Sequence, residues 1–458
     1  MKFLLPFLLL FYLAASGQVS LNVDSVARWY DNTLPSQVTH SKYNEVWGFV
    51  QDSKEYGVIG SKEGTYIIDL SNPFFPRKVQ FIKGTYFSAV NRDYHDYNGY
   101  LYMVCDQGPS TLQIADLSYL PDSVHVIYDS DSLFSNCHNI FIDNATGHLY
   151  ACDIRKSDTI DLDLEIYDIK TSAIPKLLLT FDDPQVDAFH DIYVVNDTAW
   201  GNNGRTGLFV YDFSNLTAPK IIGSLTNYPE QGYNHAGYAT EDKSYYYFSD
   251  ETKGMDLKAV DVRDLSDPSV VKLFNAGQNE DVTVAHNLLV KDTLLYVSYY
   301  HEGLQVYSIK DPASPVKAAY YQTYNETITK DSLPEKDYAG YRGAWGVYPF
   351  LPSGILLVSD REKGLFVFNL DFEHFEPSPF KTVYPNPFTD NVFLSYPAGD
   401  IVSIDLFDAN GKLMESGLTF SSSRGLTLIL PNINLSSGIY LMKIQARNES
   451  FILKLAKI

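Results

Sequence analysis

The sequence predicts an all-β chain, a seven-bladed β-propeller followed by a small C-terminal β-sandwich. Three observations carry that prediction. One strand-and-turn pattern recurs seven times between about residues 40 and 372, and a period of roughly 20–50 residues marks a repeat architecture. Tyr (35) and Phe (27) far outnumber Met (5) in a chain that is 14% aromatic, a bias toward strands rather than helices. Beyond about residue 384 the pattern changes to short alternating runs separated by Gly and Asn turns, as in a small antiparallel sandwich. At 458 residues the chain exceeds one ordinary compact domain, and its 45% hydrophobic content supplies a core.

Residues 1–17 carry one Lys, an apolar run from Phe3 to Leu13 and then small residues. Ala15 and Gly17 suit the positions before a signal-peptidase cut, which predicts a cleaved export signal and a mature start at Gln18. The run is shorter than the roughly 20 apolar residues that span a bilayer. No later segment is longer, so no transmembrane segment is expected in the mature chain.

The propeller is expected over 18–375. Its unit is a short strand ending in an acidic or polar residue, followed by a Pro-bearing turn. The copies end at Asp69, Asp116, Asp168, Asp212, Asp261, Ser308 and Asn369, with gaps of 47, 52, 44, 49, 47 and 61 residues. Such gaps hold four short strands and their turns, the size of a blade. Leu-x-Val-x-Asp alternation buries one strand face between blades. The terminal carboxylate can accept N–H groups of the next turn, while Pro withholds a donor. The five Asp of this series therefore read as turn caps, not catalytic groups. The seventh unit lacks an outermost strand, and the segment 22–30 is predicted to supply it, closing the ring and removing exposed sheet edges. This repeat resembles the LVIVD repeat, and residues 40–372 are similar to the choice-of-anchor B family. That resemblance implies a secreted or cell-surface propeller and assigns no settled biochemical activity.

A Pro-rich linker is expected at 376–383 and a separate domain at 384–458. The latter opens with Tyr384-Pro385-Asn386-Pro387-Phe388, turns at Asp408 to Lys412 and carries the strand Gly438 to Ile444. Together these motifs resemble the type A sorting domain of the type IX secretion system of Bacteroidota. The resemblance implies a partner, the type IX export machinery. It also implies passage through the periplasm to the outer-membrane surface or the extracellular space, with the domain then removed or exchanged for an anchor. An ordinary carbohydrate-binding sandwich is the alternative.

The second recurring element lies upstream of the repeat strands. Five of the ten histidines, His95, His138, His190, His235 and His286, precede an apolar run, and Trp47 and Trp345 stand there in the first and seventh units. A second strand ends in Asp106, Asp153, Asp250 or Asp360, or in His301 in unit six. Antiparallel neighbours set the start of one strand beside the end of the next, so the His and Asp of one blade are expected to meet around the mouth of the central channel. Three readings follow. The leading one is structural, each imidazole stitching blade to blade. In the second, these residues with Trp47, Trp345 and Arg342 line a mouth for a glycan, peptide or surface-protein ligand. In the third, the five His hold a transition metal in the channel, which would open hydrolytic or redox chemistry.

The remaining signals exclude more than they assign. A net charge of −21 and a pI near 4.8 argue against nucleic-acid binding over a broad surface. No phosphate loop or nucleophile elbow is present. Three Cys cannot build a disulfide scaffold; Cys137 with Cys152 is the disulfide candidate, with Cys105–Cys152 still open. The sequence thus favours a non-enzymatic binding or adhesion module, with a metal-dependent extracellular enzyme as the alternative.

Overall fold

The structure, a computed structural model, describes residues 20–34, 41–157, 160–186, 189–277, 283–324 and 341–370, and most of 383–457. The expected export signal at 1–17, most of the linker and Pro385, Asn386 and Pro387 lie outside the described residues.

Seven antiparallel sheets follow one another along the described chain before residue 371. The first blade is a meander of strands Tyr43–Gln51, Lys54–Ser61, Gly64–Asp69 and Arg77–Lys83. Its innermost strand, Tyr43–Gln51, is one of seven. The others are Arg92–Tyr97, Asn136–Asp143, Asp191–Val195, Asn234–Ala239, Leu288–Lys291 and Ala344–Tyr348. Each touches the innermost strand of the next blade, and Ala344–Tyr348 touches Tyr43–Gln51, so the ring is closed. The core is divided accordingly. A separate apolar cluster fills each of the seven seams, as with Phe49, Val58, Ile67, Leu101 and Met103 between blades one and two. Alternating Leu-x-Val-x-Asp strands thus bury both faces against neighbours, as sheets packed face to face require.

The turn caps are where the repeat puts them. Oδ1 of Asp69, Asp116, Asp168, Asp212 and Asp261 accepts the backbone N–H two residues on, at 2.8–3.1 Å. At the ring's seam, strand Val23–Trp29 lies antiparallel to Gly364–Leu370, with Val23 opposite Leu370 and Trp29 opposite Leu365. It forms the outermost strand of blade seven. Just before it, Ser20 and Leu21 pair with Tyr321 and Tyr320 on the edge of blade six. Asn22 makes the step between blades at φ 52°, and its side chain donates to the Ala318 carbonyl at 2.8 Å. One short segment therefore clasps two neighbouring blades.

The C-terminal domain packs two four-stranded sheets around Phe388, Ile404, Leu406, Met442 and Ile444. Its Asp408–Lys412 turn closes through Asp408 Oδ1, which accepts from Lys412 N at 2.9 Å, with Gly411 at φ +82°. Among the described residues no helix is long and apolar enough to cross a membrane.

Candidate functional site

The seven innermost strands run in the same sense along the channel, so equal positions in different blades form layers across it. Three layers matter, and alternation along the strand separates their chemistry.

The outer layer is aromatic. Trp47, His95, Phe141, Tyr193 and Tyr238 follow one another around the wall, with ring centroids 4.5, 5.4, 5.6 and 4.2 Å apart, and Tyr348 closes against Trp47 at 4.9 Å. These rings line a funnel of about 810 Å³. Asp96 belongs to it as well, accepting from Trp47 Nε1 at 2.8 Å.

Two residues earlier comes a polar collar of Glu45, Asp93, Asn139, Asp191 and Asn287, which lines both the funnel and a smaller cavity of about 40 Å³ beneath it. The collar is knitted across blades. Asp93 Oδ2 accepts from Ile140 N at 2.7 Å, and Asn287 Nδ2 donates to Glu45 Oε2 at 2.5 Å. Burial pushes Asp93 and Asp191 up to about 7 and Glu45 to about 8; the neighbouring Asp93 charge raises Glu45 and Asp191 further. Neither cavity has a Lys or Arg in its lining.

The third layer is a ring of imidazoles. His138, His190, His235, His286 and Trp345 follow one another with centroids 4.2, 4.2, 4.4 and 4.4 Å apart. Each histidine reaches toward the next or the previous blade. Nδ1 of His190 lies 3.1 Å from the His235 carbonyl and Nδ1 of His286 lies 2.6 Å from that of Trp345. A carbonyl only accepts, so Nδ1 carries the hydrogen and the neutral ring keeps its lone pair on Nε2. His138 instead meets Asp106 at 2.8 Å. Burial pulls this imidazole down, but the hydrogen bond and charge of Asp106 outweigh it, and His138 rises to about 9. Burial holds His190 and His235 well below the ordinary range and His286 at about 3. Beside this ring sits Glu251, raised by burial to about 7, its Oε1 accepting from the Tyr300 hydroxyl. His235, His286 and Glu251 offer ligand atoms all within 4.8 Å of one another.

Several expectations are corrected by this geometry. Five His are expected at one height; four share the ring, and His95 stands with Trp47 in the aromatic layer on the far side of the collar. Burial holds His95 at about 4, with Nδ1 3.1 Å from the Asp96 carbonyl. Trp345, by contrast, does belong to the His ring. The His–Asp pairing crosses blades, since Asp106 of blade two meets His138 of blade three. Asp153 is exposed at φ 46°. Asp250 is consumed by a fully buried ion pair with Lys258 at 2.6 Å and by the Tyr228 hydroxyl at 2.9 Å. Asp360 caps the N–H groups of Glu362 and Lys363 at 3.0 and 2.8 Å. Arg342 pairs with Glu362, its Nη2 3.0 Å from Oε2, and lines neither cavity. Cys137 and Cys152 lie on paired strands, but Cys152 faces Asn139 and Cys137 faces Ile154. The offset leaves both, like Cys105, as free buried thiols, with Cys137 Sγ donating to the Cys152 carbonyl at 3.4 Å. Glu45, Asp93 and Glu251 were not anticipated. The signal for the first two is the polar-x-ring spacing of Glu45-x-Trp47, Asp93-x-His95 and Asp191-x-Tyr193.

Comparison with known proteins agrees with this architecture. Residues 382–457 match the family described as secretion system C-terminal sorting domain. The chain is therefore handled by the type IX system and exported to the cell surface or extracellular space. No curated protein matches the chain. Among solved structures, the WD40 repeats of RRP9 are similar in fold, with a TM-score of 0.52 at 10% identity, over 74% of this chain and 96% of that one. The computationally designed Ika8 protein aligns over 76% of this chain and 99% of its own, at 10% identity and a TM-score of 0.46.

Proposed function

We propose that this is a surface or extracellular binding module whose propeller funnel takes a neutral or amine-bearing saccharide. One observation carries the reading: a band of rings from Trp47 to Tyr348 stands directly above a collar of carboxylates and amides. Sugar rings stack their apolar faces on aromatic side chains, and their hydroxyls donate to carboxylates and amides. With no Lys or Arg in the lining, an anionic ligand would find no fixed positive charge among the acidic side chains, so uronates, sulfated glycans and phosphates are disfavoured. The volume suits a ligand of a few rings.

The export context supports the same reading. The C-terminal domain directs the chain outward, and the resemblance of 1–17 to a signal peptide and of 40–372 to LVIVD-repeat, choice-of-anchor B proteins of Bacteroidota fits a surface-facing role. A second reading, a metal-dependent enzyme at the cavity beneath the funnel, is favoured by the His235–His286–Glu251 cluster.

Calorimetric titration of the full chain with neutral, amino and acidic oligosaccharides tests the proposal. Saturable binding of a neutral or amino sugar, lost in Trp47→Ala and Tyr193→Ala, is expected. Binding confined to acidic sugars, or unchanged by both substitutions, would overturn it.

A further inference from the structure

We propose that the small cavity beneath the funnel is a mononuclear site for a divalent first-row transition ion, held by His235 Nε2, His286 Nε2 and Glu251 Oε2. This goes beyond saccharide binding and does not depend on it. The three ligand atoms come from two blades and already converge: all lie within 4.8 Å of one another, and His235 Nε2 stands 3.9 Å from Glu251 Oε2. Metal–ligand bonds of about 2.1 Å place two donors on one ion no more than about 4.2 Å apart. One of the separations therefore fits as it stands, and the cluster as a whole needs to contract by less than about an ångström, the scale of a small χ rotation.

The second observation is the outer support. Ligating imidazoles usually donate their other N–H to a carbonyl or carboxylate, and ligating carboxylates are themselves hydrogen-bonded. His286 is held in this way by the Trp345 carbonyl at 2.6 Å, which fixes the hydrogen on Nδ1 and leaves Nε2 as a lone-pair donor. Glu251 is held by the Tyr300 hydroxyl on Oε1, leaving Oε2 for the ion. His235 is clamped between the rings of His190 and His286 at 4.2 and 4.4 Å. Asn287 Oδ1 is buried without a hydrogen-bond partner, among the described residues, in the same small cavity.

The donor set selects the ion. Two imidazoles and one carboxylate suit Zn²⁺ or Fe²⁺; Ca²⁺ and Mg²⁺ prefer oxygen throughout, and no thiol is present to favour softer ions. Three protein ligands leave coordination positions facing the 40 Å³ cavity, the arrangement of an open rather than a purely structural site.

The test uses the full-length chain, untagged, stripped with chelator and dialysed, then titrated with Zn²⁺, Fe²⁺ under anaerobic conditions, and Ca²⁺. One equivalent of Zn²⁺ or Fe²⁺ should bind, with no matching Ca²⁺ uptake. His235→Gln, His286→Gln and Glu251→Gln should each weaken binding at least tenfold, while His95→Gln leaves it unchanged. Should a variant fail to fold, the Co²⁺-loaded wild-type protein decides independently. Visible bands shifted and intensified relative to Co²⁺ in buffer support the site, and a spectrum identical to that of aquo Co²⁺ refutes it. Absence of a stoichiometric ion, or equal loss in His95→Gln, would also overturn the proposal. No saccharide enters this titration, so its failure leaves the funnel reading standing, and the reverse holds too.

Discussion

Glu45 of blade one reaches over Gly346 of blade seven to accept a 2.5 Å hydrogen bond from the side-chain amide of Asn287 in blade six. A β-carbon on Gly346 would stand 1.7 Å from Glu45 Oε1. The glycine is what lets the collar bridge a whole blade. Gly346→Ala should therefore cost about 1–3 kcal/mol by overpacking. Thermal unfolding of the single variants and of Gly346→Ala combined with Asn287→Ala checks it: because both changes break one bridge, their costs should fall short of additive.

The N-terminal clasp is the second prediction. Val26 is 1% exposed in the seam of blades seven and one. Val26→Asp would bury an unpaired carboxylate and should destabilise the propeller by several kcal/mol, on the order of 3 or more. Removing residues 20–30 should lower the melting temperature and promote association through the freed edge of blade seven, seen as oligomers by light scattering. A monomer with unchanged melting would contradict the clasp.

Asp250 is a structural group in this account. It and Lys258 are both fully buried, 2.6 Å apart. Asp250→Ala leaves the ammonium uncompensated and should cost about 3–5 kcal/mol, and adding Lys258→Met should recover much of it. Denaturant titration of the three variants measures the rescue.

The turn carboxylates give a pH signature. Asp242 accepts from the Thr240 hydroxyl, the Ser244 hydroxyl and the Ser244 N–H at 2.6, 2.7 and 3.0 Å, and these bonds hold it at about 2, below the ordinary 3.8. A carboxylate with a depressed folded pKa stabilises above its unfolded value and loses that contribution as pH falls. The stability gap between wild type and Asp242→Ala should be full above about pH 4 and close as pH falls toward 2. A gap that widens in acid would contradict the assignment.

The propeller was legible because one strand of each blade repeats its alternation and ends in a capping Asp with a single mechanical role, as at Asp69 and Asp212. The site was legible only in part. Anchoring on residue type set His95 beside His138 and Trp47 beside Trp345, which slides blades one and two by three residues. The pleat instead matches Asp93 to Asn139 and His95 to Phe141. Glu251 left no periodic trace. It lies beyond the end of strand Tyr245–Asp250 and reaches the cavity through a turn in which its N–H bonds the Tyr233 carbonyl at 2.8 Å. The pairing of Asp106 with His138 depends on which blades adjoin, a tertiary fact that strand order within one blade does not contain.

The most direct test of the channel as a metal-binding centre is the X-ray absorption spectrum of the zinc-loaded full chain. A first shell of nitrogen and oxygen at about 2.0–2.1 Å is expected, with outer-shell scattering from two imidazoles. A sulfur shell near about 2.3 Å, or an oxygen-only shell without imidazole scattering, would contradict it.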